Sequence, residues 1–399
     1  MKNLDNYKLN KKNVLLRADL NVPVVNGIIT EKSRIQSLKE TIYRLKINNN
    51  KIFLISHFGR PKGKFNKEYS LNFICPTLQE ELNTKKIYFL DNFNNQNIQN
   101  MIKKMDNGDI CLFENIRFFS EEENNDYDFA KSICNNFDAY VNDAFSASHR
   151  NHASITSMPK FLPSLAGFSL LNEIRNIDNF IKNPKKPNLG IIGGSKISTK
   201  INLIYNLLKL FDNIFIGGAM ANTFLYAKNI EIGKSLCEKN LSKIAISILE
   251  DAKNFNCKII LPIDVVCADS IDDKLNIKQC NLDEIVDSQM IFDIGDKTTQ
   301  LIANYILRSS MILWNGPLGA FEYKPFDKSS IDIANTIKNN ASLLNFTALA
   351  GGGDTISAIK NAKAESGFSY ISNAGGAFLE WLEGNESPGV KALKNNKIN

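Results

Sequence analysis

The chain has 399 residues, 43% of them hydrophobic and 23% charged, and a net charge of +6 from 48 basic against 42 acidic residues. That length exceeds what one hydrophobic core usually supports, so two domains are expected, with the composition of an ordinary globular protein. No basic run is longer than a Lys-Lys pair, no stretch of about 18 apolar residues occurs and no apolar leader follows Met1-Lys2-Asn3-Leu4, which speaks against nucleic acid as a partner and against a membrane, and for a cytoplasmic location.

Short apolar runs predict first-half strands near Val14 to Leu16, Lys51 to Ile55, Ile87 to Leu90, Ile110 to Phe113 and Ala139 to Val141. Segments with helical periodicity separate them, the pattern of a parallel sheet built from βαβ units. Leu170, Ile174, Ile177 and Ile181 then mark one amphipathic helix, stopped by Pro184 and Pro187. At about 12 residues it spans roughly 18 Å, and we read it as the connection between two domains. In the second half, strands are expected near Leu189 to Ile192, Ile214 to Ile216, Lys258 to Leu261, Met290 to Asp293, Met311 to Trp314, Phe346 to Ala350 and Tyr370 to Ser372. The seven cysteines are scattered and form no Cys-x-x-Cys, as expected of reduced thiols rather than disulfides or a zinc site.

Nearly every polar or glycine cluster directly follows one of these strands, and open parallel sheets bind ligands beyond the carboxyl ends of their strands. The first-half clusters carry Arg17, Asp19, Asn21, His57, Arg60, Arg117, His149, Arg150 and His152, with Arg34 on the helical segment after the first loop. Guanidinium forks match carboxylate and phosphate oxygens, so this edge suits a small polyanion, with Asp19 and Asn21 orienting a hydroxyl. The second-half clusters are glycine-rich: Gly193-Gly194, Gly217-Gly218, Asn315-Gly316-Pro317, Gly351-Gly352-Gly353-Asp354-Thr355 and Gly375-Gly376. Glycines let backbone N–H groups approach phosphates closely.

Lys196 and Lys200 are four apart after Gly193-Gly194, so on a helix their ammonium groups would stack on one face at an anion-binding N-terminus. The stretch is not a Walker A loop, because Ser195 and Ile197 stand where that motif needs Gly and Ser or Thr. Asp354 is expected to cap the following helix and to hold Mg²⁺ with nucleotide oxygens, and Glu322 to accept from ribose hydroxyls. A nucleotide edge, a polyanion edge and two lysines between them describe phosphoryl transfer, which rests on positioning and charge stabilisation. A dinucleotide-dependent dehydrogenase would need Gly-x-Gly-x-x-Gly after a strand, which is not found. A two-domain ligand-binding protein would gain nothing from the paired lysines.

Taken in order, Arg17 to Pro23, Ser56 to Pro61, Glu114 to Phe118, Val141 to Arg150, Gly193 to Lys200, Gly217 to Phe224, Trp314 to Glu322, Gly351 to Thr355 and Leu379-Glu380 resemble the motifs of the phosphoglycerate kinase family over essentially the whole chain. The resemblance implies an α/β fold of two Rossmann-like three-layer α/β/α domains with mainly parallel six-stranded sheets, joined by an inter-domain helix. Residues 1–168 would bind phosphoglycerate, 169–187 form the helix and hinge, 188–380 bind nucleotide, and 381–399 return to the first domain. It further implies Mg²⁺-dependent, reversible, in-line transfer of the acyl phosphate of 1,3-bisphosphoglycerate to ADP after hinge closure, giving 3-phosphoglycerate and ATP in glycolysis, by a monomer. Asp19, Asn21, Arg34, His57, Arg60, Arg117 and Arg150 would bind the phosphoglycerate. Gly193, Gly194, Lys200, Gly217, Gly218, Asn315, Pro317, Glu322, Gly352, Gly353, Asp354 and Thr355 would bind the nucleotide, with Asp354 at the metal. Arg34, Lys196 and Lys200 would stabilise the phosphoryl group in flight. Four departures from the family pattern stand out: Asn373-Ala374 for Thr-Gly, Ser146 for Gly, Asp296 for Pro and Asn385 for Lys. Because alanine resists positive φ, altered contacts are expected from the loop at Ala374.

Overall fold

A computed structural model gives the arrangement of residues 1–273 and 275–398. The chain divides into two compact units, Met1–Arg175 with Glu386–Asn399, and Asn176–Asn385.

The first unit contains strands β1 (Asn13–Arg17), β2 (Val24–Val25), β3 (Ile28–Ile29), β4 (Lys51–Ile55), β5 (Ile87–Leu90), β6 (Ile110–Phe113), β7 (Ala139–Asn142) and β8 (Ser164–Ala166). Among the described residues, six of them form a sheet in the order β5-β6-β4-β1-β7-β8, every pairing parallel, while β2 and β3 make a separate antiparallel hairpin. Both faces are covered, so the strands need apolar side chains on both sides: Val14, Leu15, Leu16 and Phe53, Leu54, Ile55 are all fully buried. Each such side chain is worth about 1.5–3 kcal/mol of burial. The edge strand β8 had no sequence signal, being three small or aliphatic residues behind Pro163. The C-terminal helix Pro388–Asn395 belongs to this unit, with Val390 and Leu393 buried and the Gly389 N–H donating to Ser148 O at 2.8 Å.

The second unit contains β9 (Asn188–Ile192), β10 (Asn213–Ile216), β11 (Lys258–Ile260), β12 (Asp264–Ala268), β13 (Lys278–Asn281), β14 (Met290–Ile294), β15 (Met311–Asn315), β16 (Thr347–Gly351) and β17 (Tyr370–Ser372). Its main sheet runs β11-β10-β9-β15-β16-β17, again all parallel among the described residues. Met290 to Asp293, expected in the parallel sheet, instead pairs antiparallel with β12 in a side sheet of order β13-β12-β14. An apolar run carries no information about direction or partner, and here β12 sits only a few residues after β11. The amphipathic helix expected around Leu170 to Ile181 spans Phe168–Lys182 and ends just before Pro184. Among the described residues, no helix is long and apolar enough to cross a membrane.

The two main sheets share a connectivity. In each, the strand that comes first in the chain is central, the chain moves to one side of it, then returns to its other side. Adjacent strands β1 and β7, like β9 and β15, therefore send their connections in opposite directions, and the loops leaving their carboxyl ends splay apart to open a crevice.

Candidate active site

In the first unit the crevice between the ends of β1 and β7 is built from charged side chains. Asp19, after β1, receives Arg34 Nη1 at 2.9 Å on each of its oxygens. Its Oδ1 also takes the Asn21 N–H at 3.3 Å and its Oδ2 the Ser146 hydroxyl at 2.5 Å. The Asn21 side chain accepts from the Gly59 N–H at 2.9 Å, and Arg117 Nη1 donates to Gly59 O at 2.9 Å. One network thus joins the loops after β1, β4, β6 and β7. Asp19, Asn21, Arg34 and Arg117 are brought together in it.

His57 follows β4 and is buried. Arg17 Nη2 lies 3.0 Å from its Nδ1. A guanidinium can only donate, so Nδ1 accepts and the neutral ring carries its hydrogen on Nε2. Burial pushes the imidazole well below its usual pKa, and Arg17, Arg117, Arg150 and Arg34 push it the same way. Arg17, grouped with the anion-binding edge on sequence grounds, is instead spent inside: it is 1% exposed and also bonds Ser154 Oγ at 2.9 Å. That serine in turn donates to the fully buried Glu122 at 2.6 Å. Nothing in sequence spacing linked Glu122 to the first strand.

The remaining arginines are crowded. Burial brings Arg117 down to about 10, with Arg150 and Arg17 adding to it, and Arg150 is lowered by burial and then by Arg60. Arg117 Nε is buried without a hydrogen-bond partner, 3.5 Å from Glu123. Crowded cations and an unused buried donor favour a polyanionic ligand, since burying an unmatched donor is costly.

In the second unit the crevice between β9 and β15 is made of backbone. Gly193 N–H donates to Asn315 O at 2.9 Å, Gly194 N–H to Pro317 O at 3.1 Å and Gly218 N–H to Leu318 O at 3.0 Å. The Asn315 amide donates to Gly351 O at 2.6 Å, and Thr355 Oγ1 accepts from the Gly316 N–H at 2.7 Å. This packing leaves no room for side chains: a Cβ on Gly218, whose φ is 66°, would come within 2.6 Å of Gly194 N and O. Gly194, Gly218, Pro317, Glu322 and Asp354 line a cavity of about 360 Å³. Gly193, Gly217, Asn315 and Thr355 are buried and support the loops behind it, while Gly352 and Gly353 open the neighbouring helix. The apolar walls, Leu236, Met290, Phe292 and Phe321 among them, were not anticipated. The displaced strand β14 supplies Met290 and Phe292. Its antiparallel placement therefore completes the pocket.

Three expectations need correction here. Lys196 and Lys200 do not stack on a helix. Lys196 is extended, Ile197–Thr199 is a 3₁₀ turn, and the α-helix Ile201–Leu208 begins only after Lys200. Glu238, 40 residues on, accepts from Ser198 N–H at 3.0 Å and from Ser198 Oγ at 2.6 Å, a tertiary alternative to helical hydrogen bonding in this turn. Lys196 is consequently exposed, whereas Lys200 turns inward, its ammonium donating to Gly193 O at 2.7 Å, Asn315 Oδ1 at 2.6 Å and Asn315 O at 3.2 Å. Burial lowers Lys200 to about 8, against the opposing pull of Asp354. Asp354 is not the helix cap either: Gly352 holds that position, with φ 100°, and Asp354 lies exposed in the first turn of Gly353–Asn361. Finally, Gly375 (φ 56°) takes the left-handed conformation in the loop where Ala374 was expected to resist it.

An arginine-walled crevice on one six-stranded parallel sheet and a glycine-lined crevice on another fit a phosphotransferase of the two-unit α/β kind. A family model described as Phosphoglycerate kinase matches residues 4–385. A relative from Chelativorans sp. (strain BNC1), named phosphoglycerate kinase, is 42% identical over 394 residues, covering 98% of this chain and 99% of its own. The solved structure of phosphoglycerate kinase from Coxiella burnetii superimposes with a TM-score of 0.86 at 36% identity, over 98% of each chain. That of Pyrococcus horikoshii OT3 phosphoglycerate kinase gives 0.84 at 26% identity, over 99% of this chain and 98% of that one. The chain belongs to the phosphoglycerate kinase family, and is a kinase.

Proposed function

We propose that this enzyme catalyses the reversible transfer of the acyl phosphate of 1,3-bisphosphoglycerate to ADP, giving 3-phosphoglycerate and ATP, as a glycolytic enzyme of the cytoplasm. The observation that carries the reading is the Asp19–Arg34–Asn21–Arg117 network, a cationic crevice containing one carboxylate that suits a substrate with a phosphate, a carboxyl group and a hydroxyl. Arg34, Arg60, Arg117, Arg150 and the His57 Nε2–H are the anion donors, with Asp19 and Asn21 facing the hydroxyl. On the second unit, the glycine loops receive the phosphates of the nucleotide and the apolar cavity its base, with Glu322 placed for the ribose. Seven free cysteines fit a reducing compartment.

The acceptor oxygen belongs to a carboxylate or a terminal phosphate, already ionised, so no general base is needed. The work of the protein is alignment and charge stabilisation. Lys200 serves the second role by exchanging one of its carbonyl partners for an oxygen of the moving group. Arg34 assists from the other unit. Because the two sets of groups belong to different units, transfer requires a closed state that brings donor and acceptor oxygens into line, and we propose that binding of both substrates drives it. The extended, exposed Lys196 is proposed to join the transfer only in that state.

Among the described residues there is no cluster of three or more carboxylate, histidine or cysteine side chains able to cage a metal. One exposed carboxylate at the cavity, Asp354, nonetheless fits Mg²⁺, which retains waters and takes phosphate oxygens rather than an all-protein shell. Bound there with the nucleotide, the ion would neutralise phosphate charge. A coupled assay of ATP formation from 1,3-bisphosphoglycerate and ADP, with and without Mg²⁺, tests the reading; no ATP with the metal present would refute it.

A further inference from the structure

We propose that Ser146 is a positioning residue of the anion crevice: its hydroxyl fixes the twist of the Asp19 carboxylate so that Oδ1 faces the hydroxyl of the bound substrate. The proposal rests on the phosphoglycerate reading given above.

Arg34 alone does not orient Asp19. Its Nη1 lies 2.9 Å from both carboxylate oxygens, a shared contact that favours neither. The terminal torsion of an aspartate is also broad and roughly two-fold, so a symmetric donor leaves it loosely held. Ser146 breaks the symmetry by donating to Oδ2 only. Arg34 reaches both oxygens alike, so the 2.5 Å bond from Ser146 makes Oδ2 the more firmly held and leaves the spare capacity on Oδ1, whose remaining partner, the Asn21 N–H, is long at 3.3 Å. A substrate hydroxyl donating to Oδ1 displaces or supplements that weakest bond and leaves the rest in place.

The donor comes from the other side of the crevice. Asp19 follows β1 and Ser146 lies on the Phe145–Ala147 turn after β7, so the bond spans the point where the two connections part. The turn does not depend on that hydroxyl. Ala147 N–H donates to Ala144 O at 3.1 Å, Ser148 N–H to Phe145 O at 2.9 Å, and Phe145 and Ala147 are buried. Removing the serine oxygen therefore leaves the turn intact and frees only the carboxylate. Glycine, expected at this position from the family resemblance, offers no such donor.

The test is steady-state kinetics of Ser146→Ala, Ser146→Gly and Ser146→Thr with 3-phosphoglycerate and ATP, together with inhibition by 3-phosphopropionate, which lacks the hydroxyl. For the alanine and glycine variants the KM for 3-phosphoglycerate should rise about three- to tenfold, the scale of one net hydrogen bond, with KM for ATP unchanged. Their kcat should stay within about twofold of wild type, since the bond orients ground-state binding. The threonine variant, which keeps the hydroxyl, should behave as wild type. Inhibition by 3-phosphopropionate should be the same in wild type and Ser146→Ala, because Asp19 has no hydroxyl to meet there. An unchanged KM for 3-phosphoglycerate, a loss in threonine equal to that in alanine, or an equal weakening of the hydroxyl-free inhibitor would each overturn the assignment. A wild-type enzyme that does not turn over 3-phosphoglycerate with ATP would instead overturn the phosphoglycerate reading itself.

Discussion

The two units place their crevices at equivalent points of equivalent sheets, beyond β1 and β7 in one and β9 and β15 in the other, yet build them from opposite materials. The first uses side chains: Arg34 and Asp19 hold each other by a charge-assisted hydrogen bond, and Arg117 anchors the Gly59 carbonyl, while the Asn21 side chain holds the Gly59 N–H. The second uses backbone: the loops after β9, β10 and β15 bond to one another through Gly193, Gly194 and Gly218, and the absence of side chains makes the surface. Position in a parallel sheet therefore sets where a ligand binds, and the residues after each strand set what kind. On the proposed reading, a small polyanion with several different groups would meet individually aimed side chains. A nucleotide, which presents a phosphate chain and a flat base, would on the same reading meet loops cleared of side chains and an apolar wall.

The contrast breaks most severely at Lys200, whose ammonium is bonded into the backbone-built crevice through Gly193 O and Asn315 Oδ1. Lys200→Ala should lower kcat by roughly 10²–10³-fold with small changes in KM, the scale of losing one transition-state charge partner. Stopped-flow or steady-state kinetics in both directions would check it. A change confined to KM would assign Lys200 to ground-state binding.

Next in size is the glycine floor. Gly218→Ala forces a Cβ against Gly194 at a residue with φ 66°, and overpacking of this kind costs about 1–3 kcal/mol. Roughly a 10- to 100-fold loss of ATP affinity by calorimetry should follow, with 3-phosphoglycerate affinity unchanged. Gly353→Ala is the matched control, since a Cβ there meets nothing within 4 Å. If both variants bind ATP equally well, the close approach of the loops has no bearing on the nucleotide.

On the side-chain edge the same experiment takes the form of charge removal. Arg60 is exposed, and Arg60→Ala should weaken 3-phosphoglycerate about tenfold, the loss of one charged hydrogen bond, while sparing ATP. Unchanged affinity for 3-phosphoglycerate would remove Arg60 from the site.

These two edges were not equally legible beforehand. Strand positions could be read because a buried parallel strand must be apolar throughout, and the clusters after each strand showed which ends carry the chemistry. What the spacing of Lys196 and Lys200 could not show is that Glu238, 40 residues on, captures Ser198 and prevents a helix there. Likewise, Met290 to Ile294 reads as any other strand, and only its pairing with Val265 to Ala268 reveals a pocket wall. Ser146 departs from the family pattern, but its partner Asp19 is 127 residues away and invisible to any local pattern. In each case the unread part is a long-range side-chain or strand pairing, which local sequence does not encode.

The smallest expected effect concerns the protonation of the buried amine. Burial disfavours the charged form and lowers Lys200 to about 8, so the ammonium is the major species below that pH and is lost above it. The rate constant kcat/KM for ATP should accordingly fall to about half its neutral-pH value near pH 8 and decline about tenfold per unit beyond, because this parameter reports the free enzyme. Saturating nucleotide brings phosphate charge to the ammonium and should move the same limb to higher pH in kcat. Arginine at this position stays charged throughout, so whatever activity Lys200→Arg retains should lack the alkaline limb. The charged groups facing the crevice of the first unit are chiefly arginines, and neutral His57 titrates well below this range. Between pH 7 and 9 the KM for 3-phosphoglycerate should thus stay flat, and the KM for ATP should rise no more than it does in Lys200→Ala, since loss of the charge falls mainly on kcat. If both constants rose together, the titrating group would not be Lys200, and the division of labour between a side-chain crevice and a backbone crevice would lose its electrostatic support.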